Sequence, residues 1–404
     1  MKKKQGQHED DLNFWQPASD MLSALLLVLM LVILLLGLYL VHIPEEDQPD
    51  PFPGDAYDDG GGELGTETPL PTPFIWVPDG WDGGGGDWTP IPTPSVTPTV
   101  TVSPTPDAGN GGGGFFATKV LIPLGADTTG SQFLEPDGMF PNHIPNPEDK
   151  KAMAAIQKAV VDNRADLGLI FDTDVDRMSA VLSDGQEVNR NALIAMMAAI
   201  LAPDYPASTI VTDSVTSDGL QKFLESELHL KHHRFKRGYK NVINECIRLN
   251  KSGVVSPLAI ETSGHGALSE NYYLDDGAYL AVKLLIAAAK ARNDGKNLAS
   301  LIEKLEYPAE AVEYRLKIKT EDFKAYGEKV LTEFTARAKS EGIKFAEPNF
   351  EGVRLIFEEG WALLRLSLHD PNMPLNIESN VKGGCDKIAS KVKALLKDFD
   401  SLEF

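Results

Sequence analysis

The sequence predicts an α/β protein held at a membrane: one N-terminal transmembrane helix, a disordered Pro/Gly-rich linker, two α/β domains and a C-terminal α+β domain. Three observations lead there. An uncharged apolar run fills positions 21–41. A stretch of Pro, Gly, Thr and acid follows, to about residue 106. From Phe115 onward, short apolar runs alternate with segments whose apolar residues recur at three and four spacing, as strands alternating with helices do. The predicted divisions are a cytoplasmic N-terminus at 1–20, the helix at 21–41, the linker at 42–106, and globular domains at 107–204, 205–312 and 313–404.

The first element, "MLSALLLVLMLVILLLGLYLV", has no charge over 21 residues. At about 1.5 Å per residue that run spans the roughly 30 Å hydrocarbon core. It exceeds the apolar stretch of a cleaved signal peptide, and no small-x-small site follows it. Lys2, Lys3 and Lys4 precede it and acids follow. The positive-inside rule therefore puts the N-terminus in the cytoplasm and everything after Val41 outside. The linker carries 13 Asp and Glu between positions 43 and 107, and no Lys or Arg. Such composition cannot bury a core. Alternating Pro and Thr favours an extended tether reaching on the order of 100 Å.

In the globular part, "ATKVLIPL", "LGLIF" and "STIVTDSV" read as strands. "PEDKKAMAAIQKAVVDNRA", "NRNALIAMMAAIL" and "GAYLAVKLLIAAAKA" read as helices. From "VEYRLKI" to "KIASKVKALLKDF" the pattern shortens to an α+β arrangement. The formal charge of −21 excludes nucleic acid as the main partner, since phosphate binding needs clustered Lys and Arg. Two cysteines, Cys246 and Cys385, indicate neither a disulfide framework nor a zinc site.

"LGLIFDTDVDR" places Asp172, Asp174 and Asp176 at alternate positions after an apolar run. An extended backbone would send the three carboxylates to one side. Their mutual repulsion calls for a hard cation such as Mg2+, which prefers oxygen ligands. An EF-hand needs Gly at loop position 6 and Glu at 12, where this chain has Arg177 and Ser183. The plain alternative is a solvated acidic turn.

Five motifs in order, "DAGNG…PLGAD…EPDGMFPNHIPNPED", "FDTDVDR", "VTDSVTSDGL", "ETSGHG" and "RLSLHDPNMPLNIES", resemble the α-D-phosphohexomutases, the phosphoglucomutase and phosphomannomutase family. The resemblance covers 107–404 and implies intramolecular phosphotransfer on a hexose phosphate. It implies that Asp172, Asp174 and Asp176 hold Mg2+ and that Arg177 faces the transferred phosphate. Glu261 and Ser263 then bind sugar hydroxyls, and Arg365, Ser367 and His369 grip the non-reacting phosphate. Plainer readings have Glu261 and Ser263 capping the next turn and Arg365 pairing with Glu358 or Glu359.

Departures from the family pattern matter as much. The first family domain carries a phosphorylated serine in a Thr-Ser/Ala-Ser-His-Asn-Pro type of loop, which has no counterpart here. "FPNHIPNP" offers Asn142 and His143 but no serine. A strand before "DAGNG" is expected to be missing, because prolines in "TVTVSPTP" oppose a central strand. Thr173 and Val175 stand where glycine-like residues are common, and Leu368 and His369 where Gly and Thr are common. The implied enzyme is incomplete or inactive unless a separate chain supplies the phosphoserine domain.

A second resemblance covers about 30 residues. "FWQPASDMLSALLLVLMLV" is similar to the N-terminus of stator B subunits of flagellar and phage-defence motors. That resemblance makes Asp20 an ion carrier and implies a multi-span A-type stator subunit as partner. The plain alternative is an N-cap. The two halves disagree on compartment, since hexose phosphates are cytoplasmic and the anchor's orientation puts the globular part outside. The seam at "GNGGGG" also fits a gene fusion or an assembly chimera.

Overall fold

The structure, a computed structural model, describes the backbone of residues 100–104 and the whole of 112–135, 137–367 and 370–404. All of these lie in one compact unit, Trp88–Phe404. The expected span at 21–41, Asp20 and the first half of the "GNGGGG" seam, 109–111, lie outside the described residues. Among the described residues no helix is long and apolar enough to cross a membrane.

The first sheet contains β1 (Val100–Pro104), β2 (Leu167–Phe171), β3 (Met178–Leu182) and β4 (Glu187–Val188), in that order. β1 corrects the expectation of a missing strand: it runs parallel to β2, from Val100 opposite Leu167 to Pro104 opposite Phe171. It is an edge strand, which needs a ladder on one side only, and proline is tolerated there. β2 is buried at every residue, as its unbroken apolar sequence requires.

"ATKVLIPL" is likewise corrected. It lies in a helical segment, Gly112–Phe115 continuing as a π-helix through Phe116–Leu121, with Phe116, Ala117 and Leu121 buried. Phe116 meets Phe171 edge-on at 5.2 Å. A short apolar run carries no period that separates strand from helix. Helix α1 (Lys150–Asn163) starts at Asp149, whose side chain accepts from the amides of Lys151 and Ala152. It lies so close to β2 that a Cβ on Gly168 would stand 2.4 Å from Val160.

The second sheet has the order β6 (Lys231–Arg234), β5 (Thr209–Thr212), β7 (Leu258–Ile260), β8 (Gly266–Leu268). β5 is parallel to both neighbours, and β7 and β8 form a hairpin. Helix α2 (Arg190–Leu201) is buried at every position from Ala192 to Ala198. A helix apolar all round needs neighbours all round. With α5 (Gly277–Asn293) it joins both sheets in one core. Helices α3 (Asp218–Lys222) and α4 (Tyr239–Lys251) complete this part.

The remainder is an antiparallel sheet of order β10 (Lys344–Phe345), β11 (Val353–Ile356), β12 (Gly360–Leu364), β13 (Asn372–Ser379), β9 (Glu310–Ile318), β14 (Leu402–Glu403). Helices α6 (Phe323–Ser340) and α7 (Gly384–Leu395) close a second core over it, around Phe334, Leu375 and Ile388. Arg354 ties this layer to the second sheet. Its guanidinium donates to the carbonyl of Ser214 at 2.9 Å and to Asp218 Oδ1 at 2.9 Å. It also stacks 3.6 Å from the Trp361 ring.

Candidate functional site

The three aspartates converge, by a route other than the expected one. β2 ends at Phe171, and 172–176 is a bend in which Val175 takes φ 65°. The turn, and not the alternation of a pleated strand, gathers the carboxylates. Their ligand atoms all lie within 4.8 Å of one another. Asp172 is 2 % exposed, whereas Asp174 faces solvent. Both oxygens of Asp172 are engaged by Arg177, through its backbone N–H at 3.1 Å and its Nε at 2.6 Å. Arg177 therefore folds back on the cluster and balances part of its charge. Asp176 is pushed up to about 7, mainly because burial penalises its anion and next because of the Asp172 charge, with His265 opposing.

The "ETSGHG" loop is stitched to this bend. The amide of Met178 donates to the carbonyl of Gly264 at 3.2 Å, and Arg177 and His265 form a β-bridge. Gly264 takes φ +99°, and a Cβ there would sit 2.5 Å from the Met178 carbonyl oxygen. Only glycine permits that approach. Glu261, 3 % exposed, accepts from the Gly238 amide at 2.6 Å, so it pins the loop before α4 and does not cap its own turn. Its other oxygen receives Ser263 Oγ at 3.4 Å. Burial and then the Asp213 charge push Glu261 up to about 7, against the pull of the Gly238 amide, Arg237 and His265.

Sequence reasoning missed His265 and Asp275. His265 Nδ1 lies 2.8 Å from Asp275 Oδ2 and 3.7 Å from Asp176 Oδ2, and the ring stacks on Tyr239 at 5.1 Å. Burial disfavours the imidazolium, but Asp275, Asp176 and Glu261 outweigh it and raise the His265 pKa. The signal for His265 was its place inside the motif. Asp275, some ten residues further on, had none.

Arg365 follows β12, with a side chain 12 % exposed. Its Nη1 stands 4.0 Å from Glu351 Oε1, and its Nε is buried without a partner. Neither Glu358 nor Glu359 is its partner in the structure; Glu359 lies 4.0 Å from Lys391. Burial lowers the Arg365 pKa, Glu351 opposes this, and Arg237 adds repulsion. Arg237 is in turn favoured as a cation by Asp213 and Glu261, which outweigh its burial. It is thus coupled electrostatically to both Glu261 and Arg365. Glu351 holds the arrangement by accepting from Ser214 Oγ and, at 3.1 Å, from the Arg237 amide. Neither Arg237 nor Glu351 stood in a quoted motif. Ser367 Oγ accepts from the Asp370 amide at 3.2 Å. His369 lies outside the described residues.

The arrangement therefore offers a carboxylate cluster, a buried acid and hydroxyl, and one under-compensated guanidinium group, that of Arg365. Comparison with known proteins adds what the chain is similar to. Residues 104–185 match the family model for phosphoglucomutase/phosphomannomutase alpha/beta/alpha domain II, and 189–307 match that for domain III. The phosphoglucomutase of Neisseria gonorrhoeae is 28% identical over 293 residues, covering 72% of this chain and 60% of its own length. The phosphomannomutase/phosphoglucomutase of Pseudomonas syringae pv. tomato is 29% identical over 290 residues, covering 72% and 59%. A crystal structure of a phosphoglucomutase/phosphomannomutase family protein from Burkholderia thailandensis superposes with a TM-score of 0.63 at 25% identity, covering 77% of this chain and 63% of that one. The chain thus spans about 60% of the length of the curated relatives it matches. Within that span, 104–185 and 189–307 are similar to domains II and III of the phosphoglucomutase/phosphomannomutase family, and the fold resembles that of a solved family member.

Proposed function

We propose that the globular part binds Mg2+ and a hexose phosphate as the substrate-holding portion of a phosphohexomutase, and that phosphotransfer requires a phosphoserine supplied by a separate domain. The observation that carries this reading is the joining of the aspartate bend to the Glu261–His265 loop by the Arg177–His265 bridge. It brings metal-binding and hydroxyl-binding chemistry to one place. Asp172, Asp174 and Asp176 would hold the cation, which supplies positive charge toward a transferring phosphoryl group. Glu261 and Ser263 offer an acceptor and a donor to sugar hydroxyls. Arg365, with a free buried Nε, suits the fixed phosphate, for which a guanidinium fork is adapted. Tethering at a membrane rests on the apolar run at 21–41 alone.

The test is calorimetric titration of the full chain, purified in detergent, with glucose 1,6-bisphosphate in the presence of Mg2+. Binding is expected, weakened at least tenfold by Arg365→Ala. No binding by the parent chain, or equal binding by the variant, refutes the reading.

A further inference from the structure

We infer that Glu351 is a positioning residue: an internal counter-anion that holds the Arg237 loop and Arg365 while the site is empty, and that competes with a phosphate group for Arg365. The inference rests on the reading of Arg365 as the phosphate anchor and adds the group that stands opposite it.

Glu351 precedes β11 in the antiparallel layer, and its side chain is 13 % exposed. Its two oxygens have separate tasks. Oε2 accepts from Ser214 Oγ, just after β5, and at 3.1 Å from the amide of Arg237, just before α4, so it fastens to the layer of the second sheet. Oε1 lies 4.0 Å from Nη1 of Arg365, which follows β12. One carboxylate thus spans the seam between the two cores.

The distances show which of these contacts is fixed and which can be exchanged. A hydrogen bond from N–H to O needs about 2.7–3.2 Å, so at 4.0 Å the guanidinium is attracted to Glu351 without engaging an N–H with it. Among the described residues the Arg365 guanidinium makes no hydrogen bond, and no other carboxylate lies within 4.0 Å of it. Burial disfavours the cation, and Glu351 is the group that most opposes this, against further repulsion from Arg237. Glu351 therefore keeps the arginine charged without saturating its donors.

A phosphate bound at Arg365 puts a second anion beside the same guanidinium. At the effective dielectric of a protein site, like charges repel about four times more strongly than in bulk water, so Glu351 opposes the ligand for which it prepares the arginine. Glutamine removes the charge but keeps an oxygen for Ser214 and the Arg237 amide. A carboxylate that only braced the loop would give no gain on that exchange, whereas a competing anion gives tighter binding.

Calorimetric titration of the full chain in detergent, with glucose 1,6-bisphosphate and Mg2+, tests it. Glu351→Gln should bind about fivefold tighter than the parent, or better. Placed on Arg365→Ala, the same exchange should change affinity by less than about twofold, since the group competed for is gone. Binding by Glu351→Gln that is equal to the parent's or weaker overturns the inference, as does a gain that persists without Arg365. No binding by the parent chain refutes the hexose-phosphate reading and removes the inference with it, so the two failures are told apart. Should circular dichroism show that Glu351→Gln does not fold, Glu351→Asn, likewise uncharged, decides on the same criterion.

Discussion

Replacing Glu378 by glutamine should make the protein more stable as pH rises. Glu378 sits on β13, where its Oε2 accepts the Trp361 Nε1–H at 3.1 Å. Burial pushes it from its ordinary 4.5 up to about 7; the Arg354 charge and the Trp361 bond oppose this, and Asp218 adds to it. Between those two values the folded state holds a proton that the unfolded chain has released. By linkage the stability contribution is present below about 4.5 and is lost as pH rises through 7. At about 1.4 kcal/mol per pH unit, a rise of that size is on the order of 3 kcal/mol, most of it lost between pH 5 and 8. Glutamine keeps an oxygen for Trp361 and has no charge to bury. The gap between Glu378→Gln and the parent should therefore widen by about 2–3 kcal/mol, in the variant's favour, from pH 5 to pH 8. Urea unfolding of both full chains at the two pH values, followed by circular dichroism, measures it. Comparing the two chains cancels the other titrating groups. A gap that is constant with pH, or that turns against the variant, refutes the reasoning and would mean that Arg354 and Arg234 compensate the buried anion.

Gly264→Ala should destabilise by about 2–4 kcal/mol, the sum of a left-handed backbone cost and overlap with the Met178 carbonyl. Gly253→Ala serves as control, because that glycine has φ +86° but nothing within 4 Å of the added carbon. Equal urea midpoints for the two variants would show that the close approach at Gly264 contributes nothing. The full chain alone should not interconvert glucose 1-phosphate and glucose 6-phosphate in a coupled assay with the bisphosphate present, since a phosphoenzyme route needs a nucleophile. Turnover that disappears in Asp174→Asn would show that a group of this chain serves.

Much of the site was legible because its residues are close in sequence. "FDTDVDR" puts three carboxylates and an arginine within six positions, and any bend or strand holding so short a stretch must bring them near one another. The helices α1 and α5 were legible for a related reason: over 14 residues or more the apolar spacing repeats often enough to define a period, whereas α2 shows as an unbroken apolar run too long for a strand. "ATKVLIPL" is too short for that; it lies in a π-helical turn, and the strand beside β2 is β1.

What the sequence by itself determined is the set of groups available and their order: an aspartate bend, a glutamate–serine–histidine loop, and an arginine loop at the end of a strand. What only the tertiary structure decided is which of those groups meet. Asp275 reaches His265 because β8 and the segment before α5 lie side by side, and Arg237 joins Glu261 to Arg365 because the loop before α4 is pinned between them. Those contacts join positions ten or more residues apart along the chain. Local propensity fixes each segment separately, whereas burial and charge balance act on all of them at once.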